Sequence, residues 1–181
     1  MVLRSEGTIL YPTDTIWGLG CLVSSDKAIR QLYKIKQRPD HKAFIVLVNG
    51  LTMLEHYVGK LDEQLLSLLG NQSHPTTVIY PKAHHLSSNL RGPDGSIGIR
   101  IVNDLFCKEL IDEIGEAIVS TSANISGQPS PTSFEDIPLD LKKQMDYVVD
   151  TKVETQKTGI QKPSTILKWE ETDKKVLVIR E

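Results

Sequence analysis

The sequence predicts an α/β fold built on a mixed, twisted sheet with flanking helices. Two observations carry this. Up to about residue 120, short β-rich apolar runs alternate with segments of helical period, and beyond residue 145 strands follow one another. A third observation bounds the architecture. At 181 residues and 20.2 kDa, with no linker, internal repeat or low-complexity tract, residues 1–181 are expected to form a single domain with one proper core.

Residues 7–11 (Gly-Thr-Ile-Leu-Tyr) form an apolar run halted by Pro12, which reads as a buried strand entering a loop. Residues 26–38 have helical period, with Ile29, Leu32 and Ile35 on one face; Ser25 or Asp26 can cap the start and Pro39 ends it. A strand over 43–48 follows almost at once. Residues 51–57 and 61–69 read as two short helices, and 76–80 as a strand closed by Pro81. Residues 96–102 alternate as a strand, 103–114 repeat as a helix, and 117–119 form a short strand running into Ser120. Thr132 or Ser133 is expected to cap another short helix, with Glu135 and Asp136 available for the reciprocal contact. Strands over 147–149, 165–168 and 175–179 complete the chain.

Composition narrows the function. An apolar content of 39% with 24% charged residues is that of a soluble globular protein, and no stretch approaches the roughly 20 apolar residues that span a bilayer. Residues 1–7 lack a hydrophobic signal core, and Cys21 and Cys107 imply no disulfide framework, so a cytoplasmic location is expected. A pI near 6.2 argues against coating nucleic acid with the whole surface, but leaves room for a local basic site.

Four segments can carry chemistry. Residues 34–42 (Lys-Ile-Lys-Gln-Arg-Pro-Asp-His-Lys) place four fixed cations, Lys34, Lys36, Arg38 and Lys42, within nine positions of a chain whose net charge is −2. Such a run suits a triphosphate or a nucleic-acid backbone, and equally suits the last turn of a helix, where cations offset the dipole. Tyr11-Pro-Thr-Asp-Thr-Ile-Trp-Gly-Leu-Gly sets two hydroxyls around a carboxylate and then two glycines, either to meet a small polar ligand or simply to turn. Seven of the fourteen residues from Ser120 to Ser133 carry hydroxyls, just where a strand ends and ligands of α/β sheets collect. Arg100 lies within the apolar strand Ser-Ile-Gly-Ile-Arg-Ile-Val. It can clamp a ligand carboxylate or pair with one of the chain's own acids.

Other chemistries lack their signatures. There is no Gly-x-x-x-x-Gly-Lys-[Ser/Thr] phosphate loop and no Gly-x-Ser-x-Gly elbow. The five histidines have no metal-ligand spacing with each other or with the cysteines, so no tightly held metal is expected.

Taken in order, the segments resemble the YrdC/TsaC family. The matching residues are Tyr11-Pro-Thr-Asp-Thr with Gly18-Leu-Gly-Cys, Lys36-Gln-Arg-Pro with Lys42, Gly98-Ile-Arg100, and Ser120-Thr-Ser-Ala-Asn-Ile-Ser-Gly127. Pro163-Ser-Thr-Ile-Leu and Val178-Ile-Arg180 complete the set, which spans nearly the whole chain. Trp17 in place of a smaller aromatic, His74-Pro-Thr-Thr and a short segment before Gly7 depart from the family's pattern. The resemblance is to its short single-domain bacterial form.

That resemblance implies a YrdC-like twisted mixed sheet with a concave basic face. It also implies threonylcarbamoyl-AMP synthase activity, in which L-threonine, bicarbonate and ATP give threonylcarbamoyl-adenylate and pyrophosphate. A downstream threonylcarbamoyl transferase complex then modifies tRNA. Lys36, Arg38 and Lys42 would serve catalysis at the triphosphate, with Mg2+ carried by ATP and no metal held by the protein. Ser96, Ser122, Asn124, Ser130 and Arg180 would join those three cations in ATP binding. Thr15, Arg100, Ser120 and Ser164 would hold threonine. The competing expectation is a non-catalytic module on the same fold that binds tRNA or double-stranded RNA, although aromatics for base stacking make up only 6% of the chain. A carbamoyl-transfer domain of the hydrogenase-maturation kind lacks support, since its zinc-binding cysteine pairs are absent.

Overall fold

A computed structural model of the protein describes residues 1–39, 42–152 and 162–181. Nine strands join in one sheet: β1 (Ile9–Tyr11), β2 (Gly18–Leu22), β3 (Ile45–Val48), β4 (Thr76–Tyr80), β5 (Ile97–Ile101), β6 (Ile118–Ser122), β7 (Tyr147–Val148), β8 (Thr165–Glu170) and β9 (Lys175–Arg180). Their spatial order is β7-β1-β2-β6-β3-β5-β4-β8-β9. The β1/β7, β3/β5 and β4/β8 pairs are parallel and the other five antiparallel, so the sheet is mixed.

Side chains alternate between the faces of a strand, and the paired registers keep one set together across the sheet. On the first face Leu10, Leu19, Val119, Val46, Ile99, Val78 and Leu167 meet α1 (Asp26–Ile35), α2 (Leu51–Val58) and α3 (Glu63–Gly70) in the larger core. On the second face Tyr11, Ile118 and Leu47 pack beneath α4 (Leu105–Ile114) through Cys107 and Ile111. Helix α4 covers only part of that face. The row Ile118–Leu47 continues to Arg100, and the row Ser120–Ile45 continues to Gly98. The polar side chains of these rows lie where the helix has stopped.

The helix ends follow from local chemistry. Ser25 caps α1 by accepting from the Ala28 amide at 3.2 Å, and Asp104 caps α4 by accepting from Cys107 at 2.6 Å. Helix α1 stops at Ile35 rather than reaching Arg38. Gln37 turns to φ 48°, its amide bonds the Lys34 carbonyl, and the Arg38 amide reaches back to Tyr33 at 3.0 Å, a Schellman ending without its usual glycine. The two glycines of the 11–20 segment, expected to meet a ligand or to turn, lie in the strand β2, where Gly18 still lines the cavity described below. One expectation fails. No helix follows Thr132, because the Asp136 carboxylate takes the amides of Thr132 and Ser133 and the Thr132 hydroxyl, closing a turn. The helix there, α5, starts later and spans Leu139–Lys143.

Candidate active site

A cavity of about 190 Å³ opens on the second face. It is walled by the turn after β1, the ends of β5 and β6, the start of β8 and the end of β9. Thr15, Arg38, Arg100, Ser120, Ser122, Ser130, Ser164 and Arg180, all expected at the site from the sequence, line it together. They span most of the chain, so only the folded sheet assembles them.

The turn after β1 is held by its own hydroxyls. Thr13 Oγ1 bonds the Ile16 carbonyl at 2.8 Å and lies 2.9 Å from the Thr15 hydroxyl. Against this turn stands Arg100, only 3% exposed. Its Nη2 is 3.0 Å from Asp14 Oδ1, and its Nη1 donates to Thr15 Oγ1 at 3.3 Å. The other carboxylate oxygen, Asp14 Oδ2, accepts the Asn103 amide at 3.3 Å. The two alternatives left open for Arg100 are therefore compatible: it pairs with an internal acid and also lines the cavity.

The opposite wall is a second hydroxyl–arginine cluster. Ser164 Oγ and Thr77 Oγ1 are 2.8 Å apart, and Arg180 Nη2 donates to the Ser164 carbonyl at 2.7 Å. Burial, and after it the charge of Arg100, hold the Arg180 pKa below its ordinary value. Glycine admits the floor of the cavity. A Cβ on Gly18 would lie 3.2 Å from Ser120 Oγ and 3.3 Å from the Thr13 methyl.

The basic run divides its labour. The Schellman turn swings Arg38 off the helix, so that Nε donates to the Lys42 carbonyl at 2.7 Å and Nη2 to that of Ala43 at 2.8 Å, while the guanidinium lines the cavity. Lys36 differs from the expected free phosphate grip. It is 1% exposed, outside the cavity lining, and its ammonium bonds the carbonyls of Ser122 and Asn124 and Asn124 Oδ1. Burial, and then the Arg38 charge, push its pKa down to about 7. Asn124 in turn gives Nδ2 to the Gln128 carbonyl, and the Ser126 amide bonds the Lys36 carbonyl at 2.9 Å. Lys36 and Asn124 thus fasten the hydroxyl-rich loop from behind.

Two expected residues stand apart. The exposed Lys42 side chain lies outside the lining, and only its carbonyl touches Arg38. Ser96 gives its hydroxyl to Asp94 Oδ1 and does not line the cavity either. Asn124, likewise outside the first lining, lines an adjoining cavity of about 290 Å³ together with Ser130. The sequence reading passed over Asp14, although the carboxylate between two threonines and the lone arginine in an apolar strand were both visible. Among the described residues no three His, Cys, Asp or Glu side chains are grouped to hold a metal ion, and no helix is long and apolar enough to cross a membrane.

Known proteins share this architecture. The profile of the Sua5/YciO/YrdC family, described under the words telomere recombination, matches residues 1–181. A threonylcarbamoyl-AMP synthase of Pseudoalteromonas translucida is 32% identical over 167 residues, covering 91% of this chain and 87% of that protein. One from Haemophilus influenzae is 36% identical over 140 residues, 76% of each. Among solved structures, Escherichia coli YciO superposes with a TM-score of 0.81 at 27% identity, covering 99% of this chain and 85% of that one. P. abyssi Sua5 complexed with L-threonine gives 0.79 at 24% identity over 92% of this chain, which spans about half of that longer chain (48%). A cavity lined by the family's own motif residues, a profile match from end to end and these relatives agree: the chain belongs to the Sua5/YciO/YrdC family.

Proposed function

We propose that the protein is a threonylcarbamoyl-AMP synthase, acting as one domain on L-threonine, bicarbonate and ATP. The observation that carries this is the convergence of Arg38, Arg100 and Arg180 with seven hydroxyl side chains in a single cavity. Curated relatives named for this activity, and a Sua5 neighbour that holds L-threonine, support it.

The chemistry needs no enzyme nucleophile. The threonine amine takes up bicarbonate with loss of water to give an N-carboxylate. One oxygen of that carboxylate forms a bond to the α-phosphorus of ATP as the bond to pyrophosphate breaks. Anionic charge crowds at the reacting phosphorus, so fixed cations and oriented hydroxyls lower the barrier by position and electrostatics alone.

Arg100, Thr15, Ser120 and Ser164 receive threonine, with the buried guanidinium taking the carboxylate. Arg38, Ser122, Ser130 and Arg180 face the nucleotide. Lys36 and Asn124 act by holding Ser122 in place. Ser96 joins the triphosphate only if its hydroxyl gives up Asp94, and Lys42 only if its exposed side chain swings toward the cavity. Mg2+ arrives as part of the ATP substrate, held by phosphate and water, since the lining offers no carboxylate. Transfer to tRNA in the cytoplasm falls to a separate transferase complex.

A module that only binds RNA fits less well, because a duplex backbone cannot reach a guanidinium that is 3% exposed. Pyrophosphate release, measured with ATP, L-threonine and bicarbonate each omitted in turn, tests the proposal. Turnover that persists without threonine defeats it.

A further inference from the structure

We infer that Asp14 is a positioning residue, which aims Arg100 at the carboxylate of an α-amino acid while never touching the ligand itself. The inference rests on the proposed threonine site and adds a residue to it.

A guanidinium carries five N–H donors in a rigid planar fork, so fixing one edge orients the others. At Arg100 one edge is held by an ion pair, with Asp14 Oδ1 3.0 Å from Nη2 but outside hydrogen-bond geometry, and by a hydrogen bond from Nη1 to Thr15 Oγ1 at 3.3 Å. Nε, though buried, has no partner among the described residues. Asp14 is itself anchored, since Oδ2 takes the Asn103 amide just before α4. The aspartate side chain is 7% exposed and does not line the cavity, whereas Arg100 does. Asp14 therefore stands behind the arginine rather than in the ligand's place.

Charge supports the same arrangement. A guanidinium this deep is costly without a counter-ion. Asp14 supplies one, and the remaining N–H donors of the guanidinium are left to a ligand carboxylate. Were Asp14 removed, only the Thr15 hydroxyl would still hold that edge of Arg100.

Calorimetric titration with L-threonine and with L-threoninol, which lacks the carboxylate, tests this on wild type, Asp14→Asn, Arg100→Ala and the double variant. Asparagine keeps the size of the side chain and an acceptor for the Asn103 amide. Asp14→Asn is expected to weaken L-threonine about tenfold while threoninol stays within about twofold. In the Arg100→Ala background the same change is expected to add nothing. Equal weakening of both ligands, unchanged or tighter L-threonine binding, or an additive double variant would each overturn the inference. Wild type that binds L-threonine with these effects yet releases no pyrophosphate would defeat the proposed function and leave Asp14's role standing.

Discussion

Lys36 holds Asn124 at two atoms, with its ammonium 2.7 Å from the backbone carbonyl and 3.3 Å from Oδ1. A cation from the end of α1 thereby sets the loop that follows β6. Truncating the ammonium strands those oxygens and the Ser122 carbonyl, at about 1–3 kcal/mol for each buried group left unpaired. Lys36→Met is expected to lose about 2–4 kcal/mol in urea denaturation. Because Ser122 is no longer held, kcat/KM for ATP is expected to fall as well. A variant with full stability and full activity would remove Lys36 from this role.

The same lysine makes stability depend on pH. Its folded-state pKa is about 7 against 10.5 in the unfolded chain. Below pH 7 both states hold the proton; between the two values the unfolded state binds more protons, so stability rises with pH, by up to about 1.4 kcal/mol per unit. Wild type is therefore expected to gain stability relative to Lys36→Met from pH 7 to pH 9. A constant difference in urea midpoint across that range would show that folding leaves the proton on Lys36.

Arg38 and Arg100 are expected to separate by substrate. Arg100→Ala removes the proposed carboxylate clamp and leaves Asp14 buried without its counter-ion, a loss of about 2–5 kcal/mol. The threonine KM is expected to rise by about two orders of magnitude, with the ATP KM nearly unchanged. Arg38→Ala abolishes turnover chiefly through ATP, and Arg38→Lys is not expected to rescue it, since an ammonium cannot bridge the Lys42 and Ala43 carbonyls as the fork does. Steady-state kinetics with each substrate varied in turn check the split.

Gly20 tests the packing beneath the site. A Cβ there would lie 2.6 Å from the Val119 carbonyl oxygen and 2.7 Å from the Tyr11 ring, neither of which can yield. Gly20→Ala is expected to cost about 1–3 kcal/mol, read as a lowered urea midpoint.

Gln37 offers the opposite sign. Its φ of 48° lies in the left-handed region, where a side chain is strained and glycine is not. Gln37→Gly is expected to stabilise the protein by about 1 kcal/mol, or about 2–4 °C in melting temperature.

Much of this was legible beforehand, because alternation and helical period report burial directly. The strand carrying Arg100, the start of the strand that runs into Ser120, and the capped helix from Asp26 could be read from pattern alone. What was missed has particular causes. β2 holds Gly18 and Gly20, poor strand formers chosen for the room they leave beside Ser120 and Tyr11. Gln37 concealed the end of α1, since glycine is the usual mark of such a turn. Lys36 lies seven positions after Ile29 and four after Leu32, on the same stripe, so its burial was implicit in the periodicity, but its charge argued for solvent. Asp14 and Arg100 lie 86 residues apart, and local sequence carries no record of such a meeting.

The cavity draws on the turn that begins at Thr13 and on Arg180 at the end of β9, so its two walls come from opposite ends of the chain. During synthesis no site exists until β9 has paired with β8, and the polypeptide is committed to slow, long-range closure before it can bind anything. Once formed, a ligand spanning those walls acts as a non-covalent cross-link between the termini. Ligand at one hundred times its Kd adds about 2.7 kcal/mol against unfolding of the whole sheet. Substrate supply and resistance to proteolysis are thereby tied to one another in this fold.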